Sequence, residues 1–234
     1  LGISDIRQSP DRRGIPEMAG EWWQSGGVSD YLSPEWSSAA LVMIDVQQDF
    51  VDGPSAIPGT AERIGAMADL ARAFRGALRP VIHVVRSYRA GESDVDSVRR
   101  EAIESGAAAA QPGTPGARIP SVLVDADPDW ELLRSGEPQQ VGTDEFLLYK
   151  PRWSAFHRTP LAALLREMGI TTVVVAGCNL PNCPRATLFD ATERDYRAVL
   201  VVDATSQTTP ERLADLELIG VRLHTVDDVA AALA

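Results

Sequence analysis

AALVMIDV, residues 39–46, is a short apolar run broken only near its end by one carboxylate, Asp45. A run this short, with no polar alternation, is what a strand buried on both faces requires. The same signature recurs outward from it. PVIHVV (80–85), EFLLYK (145–150), TTVVVAG (171–177), AVLVVD (198–203) and VRLHTV (221–226) read as further strands. Helical spacing fills the intervals: Ile64, Met67, Ala68, Ala71 and Phe74 after a Gly/Pro-rich turn, and Leu161, Leu164, Leu165 and Met168 before Gly169. SDVDSVRREAIES (93–105) predicts another helix, with Ser93 or Asp94 as its cap. Further helices are expected over 183–195 and 210–218, with a short one at the chain end. Strands alternating with helices predict an α/β fold with a mostly parallel sheet covered on both faces. Residues 107–140, rich in Pro and Gly, predict a loop-rich insertion with a short strand at SVLVD (121–125).

Residues 39–234 thus read as one domain, a length that can bury a substantial core. Residues 1–38 read differently. They are polar, carry Pro10 and Pro16, and hold Trp22, Trp23, Tyr31 and Trp36, which predicts an arm packed on the domain or on a neighbouring subunit. The net charge of −11 argues against nucleic acid as a partner. No run approaches the ~18 apolar residues of a membrane span, and LGISDIRQSPDRRG has no apolar stretch like a signal peptide. The expected location is cytoplasmic, with Cys178 and Cys183 as reduced thiols. No G-x-G-x-x-G, P-loop or G-x-S-x-G elbow follows a strand, and no cofactor is predicted.

Ligands of open parallel sheets bind beyond the carboxyl ends of the strands. Asp45 ends the first strand, Lys150 ends EFLLYK, and Cys183 lies just beyond TTVVVAG. Remote along the chain, the three are expected at one rim. Pro184 suits the first turn of a helix beginning at Cys183, and a helix start favours thiolate. Each residue also has an ordinary use: a buried inert Cys, an Asp cap, a Lys reaching solvent. Phe50, Trp153 and Phe156 are candidates for an apolar wall, although Trp153 and Phe156 could equally be core. Asn179 and Asn182 could offer polar contacts. Arg86, ending the second strand, could meet a substrate carboxylate or form a surface ion pair.

Three segments together carry a family resemblance. IDVQQDF (44–50) resembles the D-x-Q-x-D-F signature of isochorismatase-like cysteine hydrolases. KPRWSAFHRTPL (150–161) is similar to their K-x-x-x-S-A-F-x-x-T-x-L segment, and GCNLPNCPRATLFDATERDY (177–196) to the segment around their cysteine. The resemblance runs from the first strand to the chain end, in order and spacing. It implies a three-layer Rossmann-like domain, the isochorismatase-like hydrolase fold. It also implies a catalytic triad of Asp45, Lys150 and Cys183, an oxyanion hole from the backbone N–H groups of Asn179 and Cys183, and a cis peptide joining Cys178 to Asn179. The implied activity is amidohydrolase cleavage of a small amide, ureido compound or lactam through a Cys183 thioester. The alternatives are vinyl ether hydrolysis by Asp45 acid catalysis, as in true isochorismatases, and a non-catalytic binding protein. Relatives of this kind are often oligomers, so a homodimer or homotetramer is expected. Leu180, Pro184 and Asp195 replace the usual Thr, Val and Gly, which marks a distinct subgroup with a pocket unlike that of nicotinamidases. Nicotinamidases of the family carry an Asp-x-His pair and further His as metal ligands. This sequence has only His83, His157 and His224, far apart, so no metal is predicted, and His83 reads as a core histidine.

Overall fold

The computed structural model describes residues 30–92, 95–107 and 109–234. Residues 32–234 form one compact unit. Its strands are β1 (Ala39–Ile44), β2 (Val81–Val85), β3 (Gln139–Gly142), β4 (Glu145–Tyr149), β5 (Thr172–Gly177), β6 (Arg197–Thr205) and β7 (Arg222–His224). Its helices are α1 (Gln48–Val51), α2 (Ile64–Gly76), α3 (Ser97–Glu104), α4 (Trp130–Ser135), α5 (Leu161–Glu167), α6 (Cys183–Thr192), α7 (Pro210–Leu218) and α8 (Val226–Leu233). The strands make one sheet in the order β3-β4-β2-β1-β5-β6-β7, parallel except where β3 meets β4.

β1 is central, and all six of its residues are buried. Side chains alternate across a strand, so Leu41 and Met43 enter one layer while Ala40, Val42 and Ile44 enter the other. The first layer packs with Met67, Leu70 and Phe74 of α2 and Val229 of α8. The second packs with Leu161 and Leu165 of α5, Leu188 of α6 and Leu216 of α7. From β1 the chain builds outward through β2 and β4 on one side, then restarts at β5 on the other. The carboxyl ends of β1 and β5 therefore flank the topological switch point, where such sheets open a crevice. At Gly177, the end of β5, φ is +119° and a methyl group would overlap the carbonyl of Ile44. Only glycine allows the two strand ends to lie this close.

The expected α/β architecture is found, with differences inside residues 107–140. SVLVD (121–125) is not a strand. Leu123 and Val124 both donate to the carbonyl of Pro120, closing a turn. The insertion instead holds α4, capped by the Asp129 side chain on the N–H groups of Glu131 and Leu132, and the antiparallel edge strand β3. The helix expected from 93 starts at Ser97 with Asp96 as cap residue, and Ser93 and Asp94 lie outside the described residues. Most of the expected 1–38 arm, with Trp22 and Trp23, also lies outside them. Trp36 packs against the first layer and meets His224 edge-on at 5.5 Å. Among the described residues no helix is long and apolar enough to cross a membrane.

Candidate active site

β1, β2 and β4 run in register to one rim. Asp45 donates its backbone N–H to Val84 O (2.9 Å), and Lys150 donates its own to Val85 O (3.0 Å). Both side chains are thereby delivered just past the last strand residues. Asp45 adopts φ +54°, a left-handed conformation that Asp tolerates better than most residues, and the chain turns sharply there. Lys150 Nζ lies 2.8 Å from Asp45 Oδ2, with side-chain exposures of 0% and 7%. Nζ also donates to the carbonyl of Arg152 (3.2 Å). The other carboxylate oxygen, Asp45 Oδ1, is buried with no hydrogen-bond partner among the described residues.

Cys183 is the first residue of α6 and only 5% exposed. Pro184 follows in the first turn, where a missing N–H costs nothing. Thr187, one turn on, donates its hydroxyl to Cys183 O (2.8 Å) and accepts the N–H of Ala155 (3.0 Å). It thus ties the turn that begins at Cys183 to the segment after Lys150. The thiol is not poised as thiolate, as its place at a helix start suggested. Burial pushes its pKa up to about 12, and the charge of the neighbouring Asp45 carboxylate adds to this. The cations of Lys150 and Arg86 oppose the rise without overcoming it.

The turn between β5 and α6 contains a cis peptide joining Cys178 to Asn179. The N–H groups of Leu180 and Asn182 donate to Ser206 O and Asn179 O, both at 3.0 Å. Those of Asn179 and Cys183 donate to no backbone carbonyl among the described residues. The Asn179 side chain donates to Gln207 Oε1 (2.8 Å), so its amide is spoken for within the protein. Cys178 is buried, donates its thiol to Asp45 O (3.0 Å), and burial raises its pKa well above the usual thiol range.

The expected substrate contacts divide. Asn182 and Trp153 line a cleft of about 250 Å³ with Pro181, Arg185, Ala186 and Phe189. Trp153, 37% exposed, also walls a second cleft of about 330 Å³ with Asp96, Ser154 and His157. Phe156, for which wall and core were both open, is in the core and does not line either cleft, 5% exposed and stacked on Tyr196 at 5.8 Å. Phe50 is buried in a small apolar cluster with Tyr88, Val95, Ile103 and Cys178. Arg86 is no surface ion pair: it is 1% exposed, with Nη2 on Asp96 Oδ2 (2.9 Å) and Nε on Tyr88 Oη (3.2 Å). His83 is buried in β2 with Nε2 2.7 Å from Glu145 Oε1, far from a ligand's role. Among the described residues no three His, Cys, Asp or Glu converge as metal ligands would.

Sequence reasoning missed Gln47, Tyr88, Asp96 and Thr187. Asp96 accepts from Arg86, Arg99 and the indole N–H of Trp153 (3.2 Å), joining three segments beside the rim. Gln47 and Thr187 fall inside the quoted motifs, a signal that they matter. Tyr88 and Asp96 sit in the loop after β2, whose path no periodicity gives.

Residues 39–228 match the isochorismatase domain. A relative from Arabidopsis thaliana, named a probable inactive nicotinamidase, is 34% identical over 218 residues, which is 87% of this chain and 100% of that protein. A ureidoacrylate amidohydrolase of Methylobacterium radiotolerans is 40% identical over 105 residues, but these span only 44% of this chain and 40% of that enzyme. The crystal structure of an isochorismatase family protein from Desulfovibrio vulgaris superposes with a TM-score of 0.70 at 34% identity, covering 84% of this chain and 98% of that one.

Proposed function

Since the chain belongs to the isochorismatase family of hydrolases, we propose that it is a cysteine amidohydrolase, cleaving a C–N bond of a small amide, ureido compound or lactam through a Cys183 thioester. The observation that carries this reading is the buried carboxylate of Asp45. One of its oxygens is held at 2.8 Å by Lys150, and the other is unpartnered in a site shared with the Cys183 thiol. A buried acceptor left without a partner costs about 1–3 kcal/mol and needs an explanation. A proton acceptor for the thiol is one.

With a thiol pKa near 12, little thiolate forms in the free protein at neutral pH. Proton transfer therefore accompanies attack. As the sulfur bonds to the substrate carbonyl carbon, Asp45 Oδ1 takes the thiol proton, and the carbonyl electrons move to oxygen. That oxyanion faces the N–H groups of Asn179 and Cys183. Its collapse breaks the C–N bond, and Asp45 returns the proton to the leaving nitrogen. Water, deprotonated by Asp45, then attacks the thioester, releasing the acid and the thiol. Lys150 keeps a positive charge beside Asp45 throughout. Trp153 and Asn182 would contact the remainder of the substrate, and the buried Arg86 would add its charge to the rim.

The test is a panel of small amides, ureido compounds and lactams, with intact-mass detection of adducts. A mass increase localised to Cys183, and loss of turnover in Cys183→Ala, are expected. Full activity in Cys183→Ala would instead point to vinyl ether or other acid catalysis by Asp45. A relative matched along its whole length is named probably inactive, which keeps a non-catalytic binding role in view. Failure of the whole panel, with Cys183 reacting with iodoacetamide no faster than Cys178, would favour that role.

A further inference from the structure

The chain leaving β1 does more than present Asp45. Gln47 is fully buried, and its Nε2 donates to Arg86 O (2.9 Å) and Ala117 O (2.9 Å) while its Oε1 accepts the N–H of Arg86 (2.8 Å). The side-chain amide thus grips the Arg86 backbone at both its donor and its acceptor, as a neighbouring strand would. The N–H of Gln48 donates to Arg118 O (2.8 Å). Asp49, also buried, accepts the N–H of Ala110 at 2.7 Å. Ala110 sits at φ +46°, a region that disfavours residues with a side chain, so its conformation needs an external hold. Gly116 lies against the same carboxylate, where a methyl group would overlap it. Three consecutive residues therefore fasten the 109–118 segment to the catalytic strand's exit.

That segment leads back to the site. Ala109 and Ala110 pack with Phe50, Tyr88, Ile103 and Cys178. Tyr88 accepts from Arg86 Nε, and Arg86 Nη1 reaches the carbonyl of Lys150 (3.4 Å). Two routes converge on one guanidinium: Gln47 fixes its backbone, and Asp49 supports, through Ala110, the wall behind Tyr88.

We propose that Gln47 and Asp49 are positioning residues that hold the Arg86 guanidinium beside Asp45 and Cys183. This rests on Cys183 being the nucleophile. The charges acting on that thiol are Asp45, Lys150 and Arg86, and Arg86 favours the thiolate. A displaced guanidinium raises the thiol's titration midpoint. Below that midpoint, each pH unit by which it rises leaves about tenfold less thiolate.

The experiment follows iodoacetamide alkylation of Cys183 by peptide mass spectrometry from about pH 7 to about pH 11. The chains compared are the unsubstituted protein, Gln47→Met, Asp49→Ala, Asp49→Asn, Arg86→Met and the Gln47→Met/Arg86→Met double variant. Gln47→Met and Asp49→Ala should each slow alkylation by about threefold or more at fixed pH, and by no more than Arg86→Met does. Asp49→Asn keeps an acceptor for Ala110 and should restore most of the rate. In the Arg86→Met background, the Gln47 substitution should matter less than about twofold. The proposal is overturned if Gln47→Met slows alkylation equally without Arg86. A lowered Tm with an unchanged alkylation profile overturns it too, because that marks a purely structural role. If Cys183 of the unsubstituted protein reacts no faster than Cys178, the nucleophile itself is lost, and the positioning role with it.

Discussion

Replacing Lys150 by Met removes one charge from a pair that is almost wholly buried, with 0% and 7% of the two side chains exposed. At 2.8 Å and an effective dielectric near 20, the attraction is about 6 kcal/mol, most of it offset by the cost of drying both ions. The cost of breaking the pair is larger than the pair's net worth, because one charge is left stranded. About 3–5 kcal/mol is expected for Lys150→Met, and a similar loss for Asp45→Asn. Asn is the right partner substitution, since it keeps the side-chain shape and tolerates the left-handed backbone at 45 (φ +54°). At about 2–4 °C per kcal/mol for a domain of this size, each single variant should melt some ~6–20 °C lower. In the double variant no charge is stranded. Its total loss should be no larger than that of one single variant, which implies a coupling of at least about 3 kcal/mol. Urea titrations of the four proteins, followed by circular dichroism, give the cycle directly. Losses that simply add, with coupling under about 0.5 kcal/mol, would refute the buried pair as the organising interaction of the site.

Further outcomes follow from single residues. Gly177→Ala should fail to fold or lose more than about 3 kcal/mol, because φ +119° and the Ile44 carbonyl both exclude a side chain; near-native stability in a thermal melt would contradict the close approach of β1 and β5. Burial tends to raise the Glu145 carboxyl, but bonds to His83 and Arg75 win and hold it down to about 2. The unfolded chain binds that proton first, so this contribution is full above about pH 4.5 and drains away as pH falls towards 2; Glu145→Gln should remove that part of the acid slope, and an unchanged slope argues against the cluster. The Cys183 thiol has the opposite sense: the unfolded chain releases its proton near pH 9 and the folded chain only near 12. Stability should therefore fall across that alkaline window, and less so in Cys183→Ala, as alkaline urea titrations would reveal.

The central strands were legible because burial on both faces leaves little choice of residue. β1 and β5 carry six buried residues each, and their sequences are continuous apolar runs. β3 escaped because it is an edge strand with half-buried Gln139 and exposed Gln140, which read as loop. The run at 121–125 has the composition of a strand but closes a turn on the Pro120 carbonyl while Leu123 and Val124 pack into the first layer, a tertiary choice that local propensity does not encode. At the site, the residues ending strands could be named because strand ends converge in parallel sheets. Phe156 was harder: an aromatic close in sequence to a strand-end lysine reads the same in a pocket or a core, and only packing against Tyr196 separates the two. Arg86 was expected in contact with ligand or solvent. Its anchoring by Asp96 and Tyr88 depends on the loop after β2, which carries no periodic signal.

The state of the thiol shows how local and tertiary effects compete. A helix N-terminus is worth about 0.3–1 kcal/mol to a neighbouring anion. Lifting a thiol from 9 to about 12 costs the thiolate about a thousandfold in population, or about 4 kcal/mol in the other direction. Burial and the Asp45 carboxylate therefore decide the resting state, and the helix start only softens it. The residue that disfavours the free thiolate is also the one placed to accept its proton. On the proposed mechanism, such a site stays quiet until a carbonyl carbon arrives to take the sulfur's electrons. Asp45→Asn separates the two roles. It should lower the thiol's titration midpoint, making Cys183 alkylate faster near neutral pH, while abolishing turnover of any amide substrate. Faster alkylation with turnover intact would mean that another group moves the proton. Slower alkylation would mean that loss of the proton acceptor at Asp45 outweighs loss of its charge.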